Sequence, residues 1–242
     1  MLEEEHSGAP LFFAIIPMQV TNTDLIHYLS GFVTPRRKQL MTDVLSNRTR
    51  YITIALEDIY QPHNASAVLR TCECLGIQDI HVIENKNRYR VNPDVALGAA
   101  KWITLKKYNR TGFNTLSAID HLRANGYRIV ATSLSDEAVP PDRFNLEKGK
   151  IAIFFGTELT GLTGDMLQQA DESLKIPVYG FTESYNISVS AAIILSHFIH
   201  VLHQSDISWQ LTDEEKEEIM LQWLRKSMKR ADLLEKEFLD SK

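Results

Sequence analysis

The chain has 242 residues, 44% of them hydrophobic and 24% charged, and a formal net charge of −5. That is enough apolar material for a full core without disulfide or metal staples, and no apolar run is long enough to span a bilayer. The only two cysteines, Cys72 and Cys74, lie too close together to bridge and are too few for a structural zinc site, so reduced thiols in a cytoplasmic protein are expected.

Residues 1–22 are read as a poorly ordered extension or a misplaced start: the apolar run Pro10 to Val20 is broken by proline and follows Glu3, Glu4 and Glu5, whereas a signal peptide begins basic. Over 23–50 a helical extension is expected, because Leu25, Ile26, Tyr28 and Leu29, then Leu40, Met41, Val44 and Leu45, recur at helical spacing. From residue 51 strands alternate with helices. The spacing predicts strands over 51–56, 77–83, 103–108, 128–134, 151–155 and 174–178, and helices over 65–75, 115–125, 163–170 and 187–203. Such alternation, with strands too apolar to face water, implies an α/β unit over 51–205 with a mainly parallel sheet covered by helices on both faces. Residues 206–242 form a second helical extension; Thr212 to Glu215 reads as a capped helix start, and Ile219, Met220, Trp223, Leu224, Met228 and Leu234 form its apolar stripe.

Charge is unevenly spread. Residues 36–50 hold Arg36, Arg37, Lys38, Arg48 and Arg50 against Asp43 alone, and residues 86–110 hold seven Lys and Arg against Asp94 alone. Basic surfaces could therefore meet phosphates on an acidic protein.

Three segments concentrate polar chemistry. The first, QPHNASAVLRT from Gln61, opens a helix with Pro62 and Asn64, Asn64 being a candidate cap, and ends with Arg70 beside Val68, Leu69 and Leu75. An arginine on an apolar helix face needs a carboxylate or a phosphate, so a structural ion pair is the alternative to a functional role. The second, Gly156-Thr157-Glu158-Leu159-Thr160-Gly161, follows a strand; Leu162 stands where a phosphate-binding loop requires lysine, so that motif is rejected. The third runs from Ile176-Pro177 to Ser184-Tyr185-Asn186-Ile187-Ser188, a polar turn opening an apolar helix, where free N–H groups and the dipole favour a ligand or a simple cap. No G-x-G-x-x-G follows a strand, and the eight histidines form no metal-binding motif.

Together these segments resemble the SpoU (TrmH-type) branch of the SPOUT RNA methyltransferases over about residues 50–205, in the order and spacing of that family's three motifs. QPHNASAVLRT and Ala131 to Asp136 look like its tRNA (guanosine-2′-O)-methyltransferases in particular. The resemblance implies a trefoil knot at the C-terminal end of the domain, a homodimer, and S-adenosyl-L-methionine as cofactor. It places cofactor contacts at Thr132, Gly156, Ile176 and Tyr185, mostly through the backbone. Catalytic positions fall on Asn64, Arg70, Glu158, Ser184 and Asn186, and positions near the RNA on His63 and Thr160. Tyr185 replaces the family's usual aliphatic residue, which a backbone contact would survive.

The implied reaction methylates a ribose 2′-hydroxyl, with a guanosine of the tRNA D-loop as target. Ribosomal RNA, RNA binding without catalysis, and a small-molecule reaction are the alternatives. A sulfonium methyl is already electrophilic, so no metal is expected. Arg70 is either an activator of the hydroxyl or a clamp on the adjacent phosphate; the first is difficult because a guanidinium ordinarily titrates above about 12. Asn64 and Ser184 would orient the ribose or Arg70, and Glu158 would fix its loop or Arg70. Arg36, Arg37 and Lys38 are the leading RNA-binding cations, with Arg225, Lys226, Lys229 and Arg230 behind them. Val189, Ile193, Ile194, Phe198 and Val201 are expected to contribute to a dimer face formed by the helices after Asn64 and Asn186.

Overall fold

A computed structural model describes residues 20–110, 112 and 114–241. In chain order the elements are α1 (Asn22–Ser30), α2 (Pro35–Leu45), β1 (Ile52–Glu57), α3 (Pro62–Cys74), β2 (Asp79–Ile83), α4 (Pro93–Ala96), β3 (Thr104–Tyr108), α5 (Asn114–Ala124), β4 (Arg128–Thr132), β5 (Ile151–Phe155), α6 (Gly164–Gln169), β6 (Glu172–Leu174), α7 (Ile187–His203), α8 (Asp213–Ser227) and α9 (Ala231–Asp240). All six strands pair in parallel, in the order β3-β2-β1-β5-β4-β6. Ile54 of β1 lies between Ile80 and Ile153, so the middle of the sheet is aliphatic across strands. β1 and β5 are buried at every position, the state of parallel strands covered on both faces.

The two-residue period of β1 divides the core. Ile52, Ile54 and Leu56 pack with Val68 and Leu69 of α3 and with Ala191, Leu195 and Phe198 of α7. Ala55, on the opposite face, packs with Ala118, Ile119 and Leu122 of α5 and Met166 of α6. The terminal helices share a third cluster, in which Leu29, Met41 and Leu45 meet Ile219, Trp223 and Leu224. The two helical extensions, far apart in sequence, are thus packed on each other. Trp223 Nε1 also donates to Trp102 O at 3.0 Å, tying this cluster to the chain just before β3.

Several boundaries differ from the sequence expectation, each for a local reason. The helical extension expected over 23–50 consists of two helices: α1 stops at Gly31, and Thr34 caps α2 while Pro35 takes its first position. Residues 1–19 of the expected 1–22 extension lie outside the described residues; Thr21 and Asn22 already form the capped start of α1. α3 begins at Pro62, so Asn64 sits inside the first turn instead of capping it, and Gln61 occupies the cap position without a side-chain bond to the helix backbone. The sixth strand ends at Leu174; the apolar Ile176 and Val178 leave the sheet and line a cavity. Ile194 and Phe198, expected on a dimer face, are core residues at 1% and 0% exposure, whereas Val189 and Ile193 are exposed. Among the described residues no helix is long and apolar enough to cross a membrane.

Candidate active site

β1 has β2 on one side and β5 on the other, so successive connections leave the sheet in opposite directions at this point. Parallel sheets open a crevice at the carboxyl ends of strands where the order reverses in this way. A cavity of about 630 Å³ lies beside this point, on the β5 side, lined by residues 132–134 at the end of β4, 155–162 at the end of β5, Leu174, Ile176 and Val178 at and after the end of β6, and 183–187 leading into α7. Its volume suits a ligand of nucleoside size, and its walls combine aliphatic side chains with backbone polar groups.

All four expected cofactor positions, Thr132, Gly156, Ile176 and Tyr185, line this cavity. The Thr132 hydroxyl already donates to Phe154 O at 2.8 Å, which leaves its backbone for a ligand. Glu158, Thr160, Ser184 and Asn186 line it too. Asn64, buried at 4% exposure in the first turn of α3, does not line the cavity itself but bonds two residues that do. Its Nδ2 donates to Glu158 Oε1 at 2.5 Å and to Gln61 Oε1 at 3.1 Å, and its Oδ1 accepts from Asn186 Nδ2 at 3.2 Å. Asn186 at the same time caps α7, its Oδ1 accepting from the Ser188 backbone N–H at 2.8 Å and from the Ser188 hydroxyl at 2.6 Å. The cap and the ligand-site readings of this turn are therefore both realised in one side chain. Ser184 makes no side-chain hydrogen bond among the described residues and is exposed at the cavity wall.

The loop after β5 is held by backbone and by a buried acid. Thr157 N donates to Gly161 O at 3.0 Å and Gly161 N to Thr157 O at 3.1 Å, closing a tight turn in which Gly161 adopts φ 67°. Gly156 packs directly on that turn: a Cβ there would lie 2.1 Å from Gly161 C. Below it, Glu57 is 1% exposed and takes both the N–H and the hydroxyl of Thr163 at 2.8 Å, along with the Thr115 hydroxyl at 2.5 Å. Sequence reading ended the first strand one residue early and missed Glu57. The available signal was a carboxylate at the end of a wholly apolar strand, where it must be buried and bonded.

Arg70 does not join this cluster. It lies on the exposed side of α3 with His63 and Cys74, and no ion pair or hydrogen bond engages it among the described residues. The structural ion pair considered from sequence is absent there, and Glu158 is turned to Asn64 instead of Arg70. Arg36, Arg37 and Lys38 are exposed on α2, away from the cavity wall; the Arg37 guanidinium lies 5.2 Å from the Trp102 ring centroid.

Residues 51–196 match the SpoU rRNA Methylase family. The chain is 46% identical over 210 residues to the tRNA (guanosine(18)-2′-O)-methyltransferase of Borreliella burgdorferi, covering 87% of this chain and 94% of that one. Among solved structures it is similar to the Aquifex aeolicus TrmH/SpoU tRNA modifying enzyme, with TM-score 0.71 and 26% identity over 80% of this chain and 97% of that one. The fold is shared with an AdoMet-bound rRNA methyltransferase from Sinorhizobium meliloti, with TM-score 0.55 and 21% identity over 67% of this chain and 60% of that one.

Proposed function

Because this chain belongs to the SpoU rRNA Methylase family, we propose that it transfers a methyl group from S-adenosyl-L-methionine to a ribose 2′-hydroxyl of tRNA, at guanosine 18 of the D-loop. The observation that carries this reading is the meeting of three distant segments: Glu158 and Asn186 line one cavity, and Asn64 hydrogen-bonds both of them. Residues 51–205 are taken as the catalytic unit, with a C-terminal trefoil knot, and 23–50 and 206–242 as its helical flanks. A cytoplasmic enzyme is the setting that fits a tRNA substrate.

When bound, the cofactor supplies a methyl group that is already electrophilic, so the reading requires no metal. Thr132, Gly156, Ile176 and Tyr185 would hold it, largely through backbone groups along the cavity. Asn64 spends both ends of its amide on Glu158, Gln61 and Asn186, so its work is to fix the wall in one arrangement. Ser184 has its hydroxyl open to the ribose, and Arg70 would hold the neighbouring phosphate or assist loss of the 2′-hydroxyl proton. His63, Thr160, Arg36, Arg37 and Lys38 would meet the RNA. Positioning of the two reactants supplies much of the rate in such a site.

The test is incubation of the protein with methyl-labelled S-adenosyl-L-methionine, tRNA and ribosomal RNA in the presence of chelator, followed by mapping of methylated riboses. Label at guanosine 18 of tRNA is expected. Label confined to ribosomal RNA would favour that substrate, and label in neither would reduce the protein to RNA binding. Activity that chelator abolishes and zinc or magnesium restores would refute the metal-free reading.

The active form is a homodimer in this reading. The exposed stripes of α3 and α7 adjoin, with Cys74 and His203 lining one cavity, and Val189 and Ile193 leave apolar surface at 43% and 39% exposure on α7. A second copy on this face would cover that surface and lie against Arg70. Light scattering should give about twice the 27.6 kDa chain mass; an active monomer would contradict the assembly.

A further inference from the structure

Asp58, the residue after β1, adopts φ 54°, a left-handed conformation that few residues other than glycine, Asn and Asp take up. It is 5% exposed, and its carboxylate is used outside the cluster described above. Oδ1 accepts the backbone N–H groups of Asn85, Lys86 and Asn87 at 2.8, 2.8 and 3.1 Å, and the Asp58 carbonyl accepts from Asn87 Nδ2 at 2.9 Å. Glu84 adds a second hold, taking the Tyr89 N–H at 2.7 Å and the Asn109 amide at 2.7 Å. The Tyr89 side chain is driven into the core at 7% exposure, and Asn92 N donates to the Ser66 hydroxyl of α3 at 2.7 Å. The connection after β2 is thus held at Asn85, Lys86, Asn87, Tyr89 and Asn92.

What this fixed loop displays is cationic. Lys86, Arg88 and Arg90 are exposed, the two arginines on either side of the buried Tyr89. None of the three is in an ion pair or a side-chain hydrogen bond among the described residues. Lys106 and Lys107 of the neighbouring β3, by contrast, have Asp79 at 3.0 Å and Glu84 at 4.0 Å. The loop leaves the carboxyl end of β2, and Asn64 and Glu158 follow the carboxyl ends of β1 and β5, so all three stand at one end of adjacent strands, about 4.8 Å apart in the sheet. Unpaired guanidinium groups held on a rigid backbone suit phosphate oxygens, because little conformational freedom remains to be lost on contact.

We propose that residues 85–90 are a phosphate-docking loop for the RNA strand that carries the target ribose, with Lys86, Arg88 and Arg90 as its contacts and Asp58 as the positioning residue that holds it. The inference rests on the RNA methyltransferase reading and adds to it where the strand lies on the β2 side of the cluster.

The test compares the full-length wild type with Arg88→Ala/Arg90→Ala, Asp58→Ala and Asp58→Asn, on a tRNA transcript. The double arginine variant should raise KM for tRNA by about tenfold or more while kcat and S-adenosyl-L-methionine affinity hold, as expected when charge-assisted hydrogen bonds are removed. Its log–log salt dependence of binding should flatten by roughly 0.7–0.9 for each phosphate no longer neutralised. Asp58→Ala should raise KM in the same way although no cation is removed, with faster amide exchange over 85–87. Asp58→Asn, which keeps an acceptor and tolerates positive φ, should restore most of it. A double arginine variant with wild-type KM and salt slope would overturn the inference, and so would a KM rise without a change in salt slope. If the wild type methylates no RNA at all, the functional reading itself has failed and this inference falls with it; an active wild type matched by the double variant sinks the loop alone.

Discussion

Arg70→Ala is expected to lower methyl transfer by about 10²–10³, the usual cost of removing one hydrogen-bond donor to the transition state, while leaving S-adenosyl-L-methionine affinity nearly unchanged. The separation follows from where the helix puts the side chain. Asn64 and Arg70 are six positions apart on α3, so they leave the helix about 120° apart. Asn64 is buried against Glu158 and Asn186, and Arg70 is exposed and unpaired among the described residues. Truncating it opens no buried space and breaks no bond among the described residues, so neither the fold nor the cavity should notice. Single-turnover transfer measured beside calorimetric cofactor binding checks this. Arg70→Lys should recover only part of the rate, since a point charge cannot reproduce a planar fork. If Arg70→Ala loses cofactor binding and transfer in equal measure, the residue is structural.

Gly156→Ala should act on the opposite half of the reaction. The new methyl would lie 2.1 Å from Gly161 C, 2.2 Å from Gly161 O and 2.3 Å from Leu162 N. All three are backbone atoms, in a turn closed by two hydrogen bonds and stapled below through Thr163 to Glu57, so no side chain can swing aside. Overpacking of this kind costs about 1–3 kcal/mol. Drawn from the cavity wall, it would weaken S-adenosyl-L-methionine binding by roughly ten- to a hundredfold. Gly164→Ala is the control, because a Cβ there meets nothing within 4 Å. Calorimetry and thermal unfolding with and without cofactor should separate the two variants; a Gly156→Ala protein that binds like wild type would refute the role given to this turn.

Much of the frame was legible in the linear pattern. Buried parallel strands read as continuous apolar runs, so five of the six strands were placed, and the sixth was met only at Leu174. Thr212 to Glu215 identified the start of α8, since the cap uses residues three apart and forms as expected. The same logic failed over 174–178. Ile176 and Val178 are apolar because they wall a cavity, and apolar character alone does not say whether a residue faces a sheet partner or a ligand.

The sequence by itself thus determined the alternation of strands and helices, and its three motifs named Glu158, Ser184 and Asn186, which line one cavity, and Asn64, which bonds two of them, but also Arg70, which stands apart. Pairing across long separations is what only the tertiary structure decided. Asn64 meets Glu158 and Asn186 because β1 and β5 are neighbours in the sheet, an adjacency that no local propensity encodes. The two helical extensions read as separate, yet they share one core, because each amphipathic face finds its complement in the other. Arg70, read as lying among apolar neighbours, proved exposed, since adjacency in sequence rotates a side chain by about 100° for each helical step. Asp58 had no signal at all: its positive φ and its three backbone partners exist only once β2 is laid beside β1 and the loop beyond it closes over the strand end.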